Sequence, residues 1–394
     1  MQVNPYTPGA GFTPPYLAGR ETVLSEAENC LRNVQARYPQ QSVLYYGLRG
    51  VGKTVLLNTI ETVADNLNIL YRHIEVSEKG RFTTLLLGGI NKFLAEISTK
   101  EAALAIARKC RDLVRMFKVS YDIEGKSIEI SANDAFTSSS GIYSDDLTEI
   151  LVELGKAALK SGDTVAFFVD EIQYMTEEEA SGFIMALHRC NQLRLPVVAF
   201  CAGLPRALRL IGTACSYSER LFSFEQVAAL KHDEAAAAIV QPANEFDISY
   251  ENDAIEMVIA ETSGYPYFIQ ELCRAVWDRH CDKEPVITAQ EVRTVLPAFY
   301  QSLDDGFFSV RYVRCSTLEK SFMAAMVRCG ELPCTIANVA QIMGRTTTAL
   351  SPCRGRLIEK GMIYSVAHAE IDFTVPKFDE FIKRINPSLQ MFCE

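Results

Sequence analysis

The distribution of apolar and polar positions divides the chain into segments of different period. In the first half, short runs at 42–46, 68–76, 164–169 and 195–202 are apolar at most positions. Between them lie longer stretches whose apolar residues recur every three or four. Short continuous runs predict strands buried on both faces, and the longer period predicts amphipathic helices. The pattern is that of a parallel sheet sandwiched between helices. Helices are predicted at about 21–38, 55–64, 82–97, 101–116 and 145–160. Residues 117–131 alternate around Glu124-Gly125-Lys126 and predict a β-hairpin insertion, with a small, polar loop at 132–144. From Leu230 the strands give way to helical periods at 233–240, 252–262, 267–278 and 289–299. The last eighty or so residues read as helices at 316–327, 334–343 and 346–360, then short strands at 362–365 and 370–374. The domains expected are 1–228, with an insertion at about 117–144, then 229–312 and 313–394.

Composition narrows the class. A chain of 394 residues with 48% hydrophobic and 22% charged residues can fill more than one core. Its net charge of −10 argues against a general nucleic-acid coat. Residues 315–394 carry 9 basic and 8 acidic side chains, leaving that segment +1 and the rest −11. The twelve cysteines show no CxxC spacing and the five histidines do not cluster with them, so a zinc site has little support. The N-terminus is rich in Pro and Gly rather than carrying an apolar signal core, and no run of eighteen apolar residues exists. A cytoplasmic location with reduced thiols and no membrane span is expected.

The chemistry concentrates in two places. Gly47-Leu48-Arg49-Gly50-Val51-Gly52-Lys53-Thr54 matches G-x-x-x-x-G-K-[ST], between a predicted strand and a predicted helix. Background usage gives roughly 0.01 chance matches in a chain this long. Glycines let successive backbone N–H groups point inward, and the helix N-terminus adds positive charge. Gly47, Arg49, Gly50, Val51, Gly52, Lys53, Thr54 and Val55 are therefore expected to cradle ATP, with Lys53 on the β- and γ-phosphates and Thr54 on Mg²⁺. The second place is the end of the buried run 164–169, where Asp170 and Glu171 follow. Strands of an open parallel sheet bring ligands to their carboxyl ends, so both carboxylates should reach the phosphate loop. Asp170 is the expected magnesium ligand and Glu171 the residue that orients water.

These motifs resemble those of AAA+ and STAND-type ATPases, including archaeal ATPases and origin-recognition relatives. Tyr16-Leu17-Ala18-Gly19-Arg20-Glu21 is similar to the family's Gly-Arg box against the adenine, which implies nucleotide contact at Gly19 and Arg20. Asp170-Glu171-Ile172-Gln173 resembles the archaeal form of the acidic motif. Where the family places a polar γ-phosphate sensor, this chain has Cys201 or Ala202, a departure from the pattern. The resemblance makes Arg220 a candidate finger, in cis or from another subunit, against the alternative of a surface pair with Glu219 or Glu225. Gly264-Tyr265-Pro266 looks like the Gly-x-Pro element of STAND lids. The helix-helix-helix-strand-strand order of the last segment is that of a winged helix. Arg345, Arg354, Arg356 and Lys360 are its candidate contacts to double-stranded DNA, although such domains also dock proteins or pack on a lid.

The implied architecture is a three-layer α/β P-loop NTPase core of AAA+ type, a helical lid and a C-terminal winged helix. The implied function is that of an Mg-dependent ATPase switch, linked to DNA or assembling with copies of itself or a partner protein. The alternatives are a STAND-like signalling or defence scaffold acting through protein contacts, and a nucleotide-binding protein with little hydrolysis.

Overall fold

The computed structural model describes residues 3–9, 11–78, 80–97, 101–121, 142–214, 220–280, 284–367 and 369–386, except for the side chain of Ala102. The chain divides into two compact units. One comprises Arg20–Gly47 and Lys53–Val227; the other comprises Met1–Gly19, Leu48–Gly52 and Ala228–Glu394.

The first unit is a mixed α/β layer structure. Its helices are α1 (Glu21–Gln35), α2 (Lys53–Asn66), α3 (Phe82–Ile97), α4 (Leu104–Ser120), α5 (Tyr143–Ser161), α6 (Glu177–Gln192) and α7 (Arg206–Ala214). Its strands are β1 (Ser42–Tyr46), β2 (Leu70–Glu75), β3 (Val165–Asp170), β4 (Val197–Gly203) and β5 (Phe222–Gln226), all parallel in the order β2-β3-β4-β1-β5. Every residue of β3 and β4 is buried, as continuous apolar runs require in a sheet covered on both faces. Successive side chains of β3 go to opposite layers. Phe167 meets Phe93 and Phe183 edge-on at 5.3 and 6.1 Å, while Phe168 stacks on Phe200 at 5.4 Å and meets Tyr71 edge-on. Full burial of rings like these contributes about 1.5–3 kcal/mol each.

Local signals set the element ends. Thr176 caps α6 by accepting from the Glu179 N–H, and Glu179 reaches back to the Thr176 N–H. Glu179 is buried, however, and also accepts from the backbone and hydroxyl of Thr83 at 3.0 and 2.8 Å. Of the acidic run 177–179 that opens α6, Glu179 is thus drawn inside, although three successive carboxylates predict a solvated helix start from sequence alone. Phe117–Ser120 are the last turn of α4 rather than the start of a hairpin. Phe117 is drawn into the core, with Tyr121 and Tyr143 against its ring at 4.5 and 5.3 Å. The remainder of the expected hairpin and most of the loop after it, 122–141, lie outside the described residues.

The second unit contains α8 (His232–Asn244), α9 (Asn252–Thr262), α10 (Pro266–Arg279) and α11 (Ala289–Ser302), with a parallel strand pair, β6 (Ser249–Tyr250) and β7 (Val286–Ile287). A π-helical turn, Leu303–Phe308, leads into α12 (Ser309–Tyr312). Beyond it are α13 (Thr317–Arg328), β8 (Cys334–Thr335), α14 (Ile336–Ile342), α15 (Thr347–Glu359), β9 (Ile363–Ser365), β10 (Glu370–Phe373) and α16 (Phe378–Ile385). The three strands form an antiparallel sheet in the order β8-β10-β9. Cys334 and Thr335 are strand rather than the first helical turn, with Thr335 capping α14. Aromatic packing joins the π-helical turn to α16: Phe308 stacks on Phe381 at 5.3 Å and meets Phe378 edge-on at 5.6 Å. The N-terminal arm lies on α8 and α10, where Tyr6 donates to the Ile239 carbonyl and Asn4 to Asp278.

Candidate functional site

Strand order brings the two motifs together. β4 pairs with β1 on one side and β3 on the other, with Tyr46 opposite Gly203 and Val169 opposite Cys201. Because all three strands are parallel, Gly47 after β1 and Asp170 at the end of β3 reach the same edge, one on either side of β4. There the Thr54 hydroxyl donates to Asp170 Oδ2 at 2.6 Å. Asp170 is 3% exposed, and its Oδ1 accepts from the Glu171 N–H at 2.7 Å.

The loop itself is built from its glycines. Gly50 and Gly52 adopt φ of +79° and +93°, a region that residues with a Cβ rarely occupy, and Lys53 begins α2 directly after them. The Gly47 N–H is fixed by the Gly203 carbonyl at 3.2 Å. Lys53 is buried, and its Nζ turns back to donate to the Gly47 carbonyl at 3.1 Å. Val51 and Val55 are also buried. In the second unit, the Tyr265 hydroxyl donates to the Arg49 carbonyl and the Tyr267 N–H to the Gly50 carbonyl. The loop tip is thereby attached to the start of α10.

A hydroxyl and a buried carboxylate in contact form a hard-oxygen pair. Among the described residues no basic side chain forms an ion pair with Asp170. This donor set fits Mg²⁺, which is usually held by one or two protein oxygens together with substrate phosphates rather than by an all-protein cage. Thr54 and Asp170 would hold that ion. Glu171 follows in the left-handed region, at φ +56°, and its carboxylate accepts from Gln173 Nε2.

Each of the other expected positions has its own local surroundings. Arg20 is buried at the N-terminus of α1, and its carbonyl accepts from the Leu24 N–H at 2.9 Å. Gly19, in the other unit, stands against Glu234, where a Cβ would fall 2.6 Å from Glu234 Cδ. Arg220 is exposed just before β5, and its carbonyl accepts from Gln41 at 2.7 Å. Glu219 lies outside the described residues. Cys201 and Ala202 are both fully buried. Arg345 is exposed before α15 and Arg354 half-buried on it. Arg356 and Lys360 are directed to Glu319, at 3.2 and 2.6 Å.

Two further residues had no role assigned from the sequence, Gln173 being visible only as the last letter of the acidic motif. Gln173 is buried beside Glu171 and its Oε1 accepts from the Leu204 N–H at 2.9 Å. Arg311 lies over the Phe307 ring at 4.0 Å. Burial and the charge of Arg49 lower its pKa to about 10.

Residues 16–200 match the family model described as AAA ATPase domain, and residues 305–382 match one described as a domain of unknown function, DUF8462. No curated protein matches the chain by sequence. Among solved structures, the Walker-type ATPase PABY2304 of Pyrococcus abyssi is similar with a TM-score of 0.54 at 14% identity, over 93% of this chain and 96% of that one. The Thermotoga maritima RuvB Holliday junction branch migration motor aligns with a TM-score of 0.46 at 15% identity, over 93% and 95%. The Aeropyrum pernix Orc1 protein in complex with DNA aligns with a TM-score of 0.42 at 14% identity, over 96% and 95%. Among the described residues, no helix is long and apolar enough to cross a membrane.

Proposed function

We propose that this chain, whose residues 16–200 match an AAA ATPase domain, binds and hydrolyses ATP and uses the nucleotide state as a conformational switch. The observation that carries the reading is the 2.6 Å contact between Thr54 and Asp170, which unites the phosphate loop with the acidic strand end. Mg²⁺ bound there supplies charge neutralisation at the phosphates. Loop N–H groups and Lys53 bind the triphosphate and hold it in line. Glu171 aligns a water whose oxygen bonds to the γ-phosphorus as the bond to the bridging oxygen breaks. The water's proton is accepted at the Glu171 carboxylate, and ADP and phosphate leave. Gly19 and Arg20 are proposed at the base, and Arg220 as a finger toward a phosphate.

The switch follows from the attachment of the loop tip at Arg49 and Gly50 to Tyr265 and Tyr267. A ligand that binds two loop conformations with different affinity shifts whatever is fixed to that loop. The proposed output is the C-terminal segment read as a winged helix, acting on duplex DNA through Arg345 and Arg354. A second reading, in which that segment assembles copies of the chain or a partner protein, is favoured by the use of Arg356 and Lys360 to hold Glu319. Phosphate release by wild type and Glu171→Gln tests the enzyme. Turnover that falls at least about 10²-fold in the variant, with ATP still bound, supports it; no turnover in either ends it.

A further inference from the structure

We infer that Gln173, on the turn after β3, is a positioning residue for Glu171. The inference rests on the hydrolytic reading above. Gln173 lies on the short 3₁₀ turn Ile172–Tyr174 and is buried. Both ends of its amide are committed. Nε2 donates to Glu171 Oε2, and Oε1 accepts from the Leu204 N–H at 2.9 Å.

This arrangement defines the amide's orientation. Turned over, its NH₂ would face the Leu204 N–H, donor against donor, and its oxygen would face a carboxylate. The planar group therefore links the glutamate to the backbone just past β4. Neither contact can swing away without leaving a buried polar group unpaired. The approach is close: a Cβ on Gly203 would lie 2.8 Å from Gln173 Oε1. Glycine at the strand end is what lets the amide sit there.

Glu171 itself holds a left-handed backbone conformation, fixed by its N–H on Asp170 Oδ1. Its side chain, one residue past the sheet, has the Gln173 amide as a second restraint. Gln173 restrains one carboxylate oxygen and leaves the other for water. The amide exchanges no proton during turnover; its effect is on geometry.

The test compares full-length wild type with Gln173→Ala, Gln173→Asn and Gln173→Glu, measuring kcat and KM for ATP and the affinity of a fluorescent ATP analogue. Gln173→Ala should lower kcat by about ten- to a hundredfold while analogue affinity stays within about twofold. Gln173→Asn should not rescue, because a side chain one methylene shorter cannot span both bonds. Gln173→Glu is nearly isosteric and guards against a folding artefact. It should be as slow as Gln173→Ala near about pH 8 and recover relative to wild type toward about pH 6, as the introduced carboxyl gains a proton it can donate. An active wild type with Gln173→Ala at the same kcat, or Gln173→Glu with an unshifted pH profile, overturns the inference alone. A wild type that binds the analogue but never turns over ATP overturns the hydrolytic reading, and the inference with it.

Discussion

Glu319 offers a perturbation whose size can be worked from the structure. It stands in the first turn of α13, 1% exposed, and its Oε2 accepts from the Ser316 N–H at 2.7 Å and Lys360 Nζ at 2.6 Å. Oε1 accepts from Arg356 Nε at 3.2 Å. Burial pushes this carboxyl up, but the bonds from Lys360 and Ser316 outweigh it and the pKa falls to about 2 from an ordinary 4.5. A folded-state value below the unfolded one stabilises the fold above pH 4.5, and that stability is lost as pH falls toward about 2. The full shift corresponds to about 3.4 kcal/mol at 1.36 kcal/mol per unit. Arg356 and Lys360 are 49% and 37% exposed, and solvent screening reduces the contribution to about 1–2 kcal/mol. Glu319→Gln removes the charge but keeps a carbonyl for the Ser316 N–H, so it should destabilise by about 1–2 kcal/mol at neutral pH. Urea unfolding followed through Trp277, the chain's one tryptophan and a buried residue of the same unit, reads the change. For a contribution of about 1–2 kcal/mol, the gap between wild type and variant should narrow by roughly 60–80% between about pH 7 and about pH 3.5. An equal gap at both values, or none at neutral pH, would refute the reasoning.

The structure predicts other outcomes. Gly264 adopts φ +70°, and a Cβ there would lie 2.4 Å from the Leu230 carbonyl oxygen. Gly264→Ala should therefore cost about 2–4 kcal/mol, read as a lowered midpoint in the same Trp277 assay. If Arg345 and Arg354 contact duplex phosphates, replacing both with alanine should reduce the slope of log affinity against log salt by about 2 in gel shifts. An unchanged slope would transfer the output to protein contacts. Nucleotide-dependent mass without DNA affinity would then identify assembly as the product of the switch.

The phosphate loop and the acidic strand end were legible because each is local: a fixed spacing of small and charged residues beside a buried strand. Their meeting follows from strand order, and parallel topology leaves few alternatives. The helices α8–α11 and α13–α15 of the second unit were legible from their period, as at Pro266, which opens α10 at a position where its missing N–H costs nothing, whereas the short α12 and α16 were not predicted. Phe117–Ser120 misled because alternation over a few residues cannot tell a strand from a helix end, and the burial of Phe117 decided it. The 2-residue strands β6 and β7 carried too little pattern to detect. Gln173 was visible only as part of a motif, since its partners Glu171 and Leu204 belong to different elements. Charge counting along α15 could not reveal that Glu319, about forty residues earlier, binds two of its cations.

The most direct test is ATP affinity by calorimetry with and without Mg²⁺, for wild type and Thr54→Val. Valine keeps the shape of threonine and removes the oxygen that meets Asp170. Wild type should bind ATP more tightly with the metal, and the variant should bind with nearly the same affinity in its presence and absence. A variant that keeps the full metal dependence, or a wild type that binds no ATP, would contradict the convergence of Lys53, Thr54 and Asp170 on one magnesium–triphosphate.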